Sequence, residues 1–348
     1  MTFIPSYIRL YEEGELQRRV ERLEAMLAPC TLCPRDCGND RFKNEIAACH
    51  SGLLPIVSSY CVHFGEEPAL GGTNGVGNIF FGNCNMRCLY CQNHLISQNW
   101  RVEQNHEVPI ELLARIIIEL QKKNVHSIGF VSPTHFIPQI VKALMLAIPM
   151  GLTLPLIYNT NAYDSVEVLR LLDCIIDIYL PDLKYAANED AYKYSKIKEY
   201  VPHARAAIAE MHRQVGSGLT VDDDGVVRRG LIIRHLILPN DIARSKETLE
   251  WIGTALSPEV TMSIMAQYYP THEAQTTELL NRRIRESEYN RVLYYLEKYN
   301  FTNGWIQDFD SHKYYRPDFT NRVKPFKERR SDISERMNQH GIDVAESY

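Results

Sequence analysis

Apolar residues first recur at helical spacing. Leu16, Val20, Leu23 and Leu27 lie three or four positions apart, which predicts an amphipathic helix from Glu12 to Leu27, stopped by Pro29. From Gly52 to Gly77 the chain is rich in Gly and Pro, with short apolar pieces such as Leu53–Val57, and reads as irregular strands and loops. After Val76 it alternates. Strand-like runs fall at Asn78–Phe81, Ser127–Val131, Leu156–Thr160, Cys174–Leu180, Leu231–Leu238 and Thr261–Gln267. Helical stretches fill most gaps: Ile110–Lys123, Ile137–Ile148, Ser165–Leu172, Glu189 to about Met211, and Ser245–Gly253. Strands alternating with helices define an α/β protein with parallel βα units, and six such strands suit a partial barrel or an open parallel sheet. A further helix over Glu286–Tyr299 and the region of Trp305 are expected to cap the sheet. From Ser311 the chain is polar and mixed in charge, either an ordered surface wrap or a loose tail. The expected division is residues 1–72, 73–270 and 271–348.

The strand faces carry a second message. Ile176, Ile178 and Leu180 oppose Asp177 and Tyr179, while Thr261, Ser263, Met265 and Gln267 oppose Met262, Ile264 and Ala266. Asn159 and Asn161 share one face. A closed barrel fills its centre with apolar layers, so polar faces predict a wet interior that accepts ligands. A sheet with one side facing solvent is the alternative.

Composition narrows the class. The chain has 348 residues, 45% hydrophobic and 23% charged, with 38 basic and 43 acidic side chains and a formal net charge of -5. These are the proportions of a soluble globular protein, and they favour neither nucleic acid nor an anionic membrane as a partner. No apolar stretch reaches the length of a membrane span. Residues 1–10 lack a basic region followed by an apolar core. The expectation is therefore cytoplasmic, where the nine cysteines should be thiols or metal ligands.

Seven of the nine fall in two clusters. In Gly82-Asn83-Cys84-Asn85-Met86-Arg87-Cys88-Leu89-Tyr90-Cys91-Gln92-Asn93 the spacing is C-x3-C-x2-C, directly after the apolar run Ile79-Phe80-Phe81. A four-iron cluster normally takes four thiolates, so three leave one iron open to a bound molecule. The competing arrangement is a closed Cys3His zinc site completed by His94. The other cluster is Cys30, Cys33 and Cys37 with Cys49 twelve residues on. Four thiols suffice for a tetrahedral zinc or a fully ligated iron–sulfur cluster, and His50 can replace one of them.

The spacing of Cys84, Cys88 and Cys91, with aromatic Tyr90 before the third, resembles the signature of the radical S-adenosylmethionine (SAM) superfamily. With Cys-x2-Cys-Pro-Arg-x-Cys and His63-Phe64-Gly65-Glu66-Glu67-Pro68 upstream, the chain resembles an uncharacterised iron–sulfur branch related to pyruvate formate-lyase activating enzymes. The resemblance runs from about Cys30 to Trp305. It implies a partial (β/α)6 barrel of the radical SAM type, with an N-terminal Cys-rich extension and a C-terminal capping segment. It also implies a 4Fe–4S cluster on Cys84, Cys88 and Cys91, and SAM chelated at the open iron. Ser132-Pro133-Thr134-His135 stands where the superfamily commonly has Gly-Gly-Glu, a departure, with Ser132 and Thr134 able to accept an ammonium proton. Asn159 and Asn161 suit ribose or carboxylate. Asp182-Leu183-Lys184 is similar to a run in glycyl radical activating enzymes, and Arg234 and Gln267 complete the expected cofactor contacts. His63, Glu66 and Glu67 can move protons, though a structural role is the expectation.

Reductive cleavage of SAM to a 5′-deoxyadenosyl radical is the implied activity, serving to activate a glycyl radical enzyme. The alternatives are a small-molecule or other peptide substrate, or, from a different class, a non-catalytic zinc-binding module. Flavodoxin or ferredoxin is the implied electron donor.

Overall fold

The structure, a computed structural model, describes residues 3–326. Its strands are β1 Val57–His63, β2 Val76–Phe81, β3 Ile128–Val131, β4 Leu156–Thr160, β5 Ile178–Pro181, β6 Thr220–Val221, β7 Val227–Leu236, β8 Thr261–Met265 and β9 Gly304–Ile306. They form one sheet in the order β1-β2-β3-β4-β5-β7-β8-β9, with β6 paired only to β7. From β2 to β9 the pairs along this path are parallel, and β1 adds antiparallel to β2. The end strands β1 and β9 are not paired with each other, so the barrel stays open at one seam.

Helices account for the apolar strands. Ile110–Gln121 buries Leu113, Ile116, Ile117 and Leu120, and packs beside Ile137–Ala147 on the outer face of the sheet. Covered on both sides, β2 has no exposed residue. The N-terminal helix Glu15–Ala25 buries Leu16, Val20 and Leu23, and it packs on Ile137–Ala147. It does not continue back to Glu12 unbroken: Gly14, at φ 71°, separates it from Ser6–Glu12. The predicted helix from Glu189 likewise splits into Asn188–Ser195 and Tyr200–Val215, because Lys196 and Glu199 take left-handed backbone.

The Gly/Pro-rich stretch contains β1, an edge strand of seven residues with a register shift between Val57 and Ser59, in keeping with the irregular strand expected there. Two further expectations change. Trp305 belongs to β9, which extends the sheet instead of capping it. A Cβ at Gly304 would lie 1.9 Å from the Met262 carbonyl oxygen, so only glycine permits this approach. Finally, β5 begins at Ile178, and its faces are reversed from the polar-interior reading. Ile178 and Leu180 join Leu70, Val76, Ile157 and Ile232 in an apolar floor inside the sheet. Tyr179 instead points to the helix layer, where its hydroxyl donates to Gln214 Oε1 at 2.5 Å. Asp177 is buried beside it, accepting the Leu156 N–H at 3.0 Å. Polar residues do line the interior above that floor, from Asn159, Asp182, Ser263 and Gln267.

Candidate active site

The three-thiol loop starts where β2 ends. Gly82 fits against Ile56, whose Cγ2 would be 2.3 Å from an added Cβ, and Asn83 turns the chain at φ 65°. The loop is then fixed from several sides. Arg87 and Leu89 donate backbone N–H groups to the carbonyls of Ser195 and Tyr194, and the Ala274 N–H donates to the Leu89 carbonyl.

Cys84, Cys88 and Cys91 all face one cavity of about 1080 Å³. Each sulfur has a donor beside it. Ser195 Oγ donates to Cys88 Sγ at 3.0 Å, and Ser97 Oγ lies 3.2 Å from Cys91 Sγ. Cys84 Sγ receives the Met86 N–H at 3.4 Å and Asn161 Nδ2 at 3.5 Å. Burial pushes the Cys88 thiol up to about 12, opposed by the nearby Lys184 ammonium, and raises Cys84 and Cys91 as well. Such sulfurs favour a cationic partner over solvent. Donors aimed at thiolates and an open side facing a cavity suit a cluster that keeps one position for a ligand.

Among the described residues, no three His, Cys, Asp or Glu side chains converge on a single metal ion. His94 in particular stacks on His272 at 4.8 Å, with its Nδ1 3.2 Å from the Cys91 carbonyl oxygen. His94 therefore does not line the cavity that the three thiols face.

Ser132, Asn159, Asn161, Asp182, Lys184, Arg234 and Gln267 line the same cavity, and so does Tyr90, held edge-on by Tyr185 and Tyr268. Thr134 does not. Its hydroxyl donates to Asp164 Oδ1 at 2.7 Å in a buried group with Thr160 and Tyr158, behind the cavity wall. Asn161 is committed to the loop, donating to Asn85 Oδ1 at 2.7 Å. Lys184 donates to Asp182 Oδ2 at 2.6 Å; burial opposes its charge, but Asp182 outweighs that and raises its pKa. Arg234 binds Glu67 through two nitrogens, at 2.7 and 2.6 Å, and also pairs with Glu66. Glu66 in turn accepts from Asn78 Nδ2 at 2.6 Å. The arginine charge is thus neutralised within the wall, and despite burial Arg234 keeps Glu66 ionised below the usual carboxylate range.

Sequence reading missed the thiol donors Ser97 and Ser195, and the chain of Gln92, Gln267 and Gln307 across the cavity. Serines carry no signal of their own; only the fold brings Ser195 to Cys88. Of the two forms the sequence left open from Ser311, the described residues take the ordered wrap. Residues 311–326 wrap across the open side, with Phe319 and Phe326 on Phe80 and with Tyr314, Tyr315 and Pro317 lining the cavity.

An open parallel α/β barrel, with a three-thiol loop after its first parallel strand and a large cavity beside it, defines a class of cluster-dependent enzymes. Residues 78–306 match the Radical SAM superfamily. A protein of Methanocaldococcus jannaschii, described as uncharacterized, is 31% identical over 296 residues, covering 82% of this chain and 79% of its own. The chain belongs to the radical SAM superfamily, and with it come a 4Fe–4S cluster and SAM. Among solved structures it is similar to anSMEcpe with bound AdoMet, at TM-score 0.45 and 11% identity, covering 68% of this chain and 62% of that one. HydG, a maturase of the FeFe-hydrogenase, gives TM-score 0.46 at 11% identity, covering 86% and 65%. The chain spans less than two thirds of either solved chain.

Proposed function

We propose that the protein binds SAM in the 1080 Å³ cavity beside Cys84, Cys88 and Cys91 and uses it to abstract hydrogen from a second molecule held in the same space. The observation that carries this is the three-thiol loop opening onto a cavity at the upper end of what a single drug-sized ligand needs, roughly 300–1,000 Å³. When bound, the cluster and SAM supply a 5′-deoxyadenosyl radical. The chain's own residues position and shield. Lys184 offers its free N–H groups to the carboxylate of SAM, while Ser132 and Asn159 offer oxygen acceptors to its ammonium. Gln267, held by Gln92 and Gln307, faces the far side. Arg234 is already paired with Glu66 and Glu67, so its part is to order the wall.

The first substrate reading is a backbone glycine of a partner enzyme, supported by the likeness of Asp182-Leu183-Lys184 to glycyl radical activating enzymes. A small molecule is the second, favoured by the strap of residues 311–326, which narrows the mouth. Flavodoxin or ferredoxin is the proposed donor in either case. The test is anaerobic: reconstituted, reduced protein given SAM should release 5′-deoxyadenosine, and Cys84→Ala should lower release to background with an unchanged circular dichroism spectrum. Zinc without iron, and no deoxyadenosine, would instead identify a non-catalytic zinc module. Deoxyadenosine without a glycyl radical signal on any added glycyl radical enzyme would favour the small-molecule reading.

A further inference from the structure

Behind the active-site loop lies a second, small cavity, lined by Cys30, Cys33, Cys37 and Cys49 together with Arg41 and His135. Local turns bring the thiols round it. The Asp36 N–H donates to the Cys33 carbonyl, and the Gly38 N–H donates to that of Cys30. Asp36 and Gly38 take positive φ of 44° and 68°, which folds the three-cysteine segment back on itself.

Two other groups in this wall lack a counterpart. Arg41 is 1% exposed, yet its guanidinium donates to the carbonyl oxygens of Gly52 and His135 and lies over the Phe136 ring at 5.5 Å, with no ion pair among the described residues. A buried cation without an anion is costly. His135 is 2% exposed, and its Nε2 donates to the Gly82 carbonyl at 2.9 Å, leaving a buried Nδ1 with no partner among the described residues. Arg41 calls for a negatively charged occupant that presents acceptors, and a metal centre wrapped by four thiolates is one.

We propose that Cys30, Cys33, Cys37 and Cys49 hold a second iron–sulfur cluster, with Arg41 as its buried counter-charge. A cluster fits better than zinc because the thiols do not converge on a single ion. The same is true of Cys84, Cys88 and Cys91, where the superfamily holds four irons. His50, the alternative ligand, stacks on Trp100 at 4.9 Å and does not line the cavity.

The second centre also supports the first. Arg35 Nε donates to the Asn85 carbonyl at 2.5 Å, Arg87 to that of Ala48 at 2.6 Å, and Asn83 Nδ2 to that of His50 at 2.9 Å. These bonds stitch the two cysteine segments together. Cys37 is exposed, which places the second centre at the surface.

The proposal does not rest on SAM cleavage, and its test is separate. The triple variant Cys84→Ala/Cys88→Ala/Cys91→Ala, reconstituted anaerobically with iron and sulfide, should retain roughly four irons and four sulfides per chain, with a thiolate-to-iron absorption band that bleaches on reduction. Native protein should hold about twice that. In Cys33→Ala/Cys37→Ala the content should fall to about half of native. A triple variant that folds but binds no metal, or that carries one zinc per chain, overturns the second cluster. Absence of deoxyadenosine from native protein would bear on the active-site reading alone.

Discussion

Ser195 shows how a residue without any sequence signal acquires a role. Its hydroxyl donates to Cys88 Sγ and lies 2.7 Å from the Tyr185 hydroxyl. Hydrogen bonds to ligand sulfurs raise the potential of a cluster, so Ser195→Ala should give a more negative midpoint in an EPR-monitored titration, with iron content unchanged. Asp177 is the opposite case: the sequence singles it out, but it sits away from the cavity. Burial raises its pKa from 3.8 to about 7. Below pH 4 it is protonated whether folded or unfolded and costs nothing. As pH rises toward 7 the unfolded chain loses this proton first, so stability declines through that window and levels off above it. Asp177→Asn should remove the decline, adding on the order of a few kcal/mol at pH 8 and less at pH 5. Thermal melts at the two values check the sign.

At the scale of elements, the six central strands were legible because each is an apolar run bounded by helical periodicity. So was the three-thiol loop, since its spacing lies within one continuous segment. What could not be read depends on single backbone angles or on distant partners. Lys196 and Glu199 divide one apparent helix, and Gly304 admits a three-residue strand too short for any pattern. Tyr179 looked like an interior residue because strand periodicity gives two faces without saying which is inside; its bond to Gln214, on another element, decides it. The strap offered only a polar sequence with scattered aromatics. Its anchor is Arg322, which pairs at 2.5 Å with the fully buried carboxylate of Glu103, to which Ser58 also donates. Arg322→Leu would strand that carboxylate. With Arg322 partly exposed, the loss in a denaturant titration should be below the roughly 3–5 kcal/mol typical of a broken buried pair. Proteolytic cutting within residues 311–326 should accelerate.

For the whole molecule, the expected N-terminal extension is bound into the rest by β1, by the helix on Ile137–Ala147 and by the bonds between cysteine segments. Among the described residues, no helix is long and apolar enough to cross a membrane. The two cysteine segments are joined through Asn83, Asn85 and Arg87.

The unpaired seam between β1 and β9 has a consequence for how anything enters. A closed ring of strands can admit a guest only by distorting many ladder bonds together, whereas here one peptide segment bridges the gap, its Phe319 and Phe326 against Phe80 and His63, its Arg316 over Tyr269 and its Arg322 paired with Glu103. Entry through the seam then requires only this segment to move, while the strand ladders stay paired. Amide deuteration should reach residues 311–326 well before β3, β4 and β5, and a ligand lodged beneath should slow it there first.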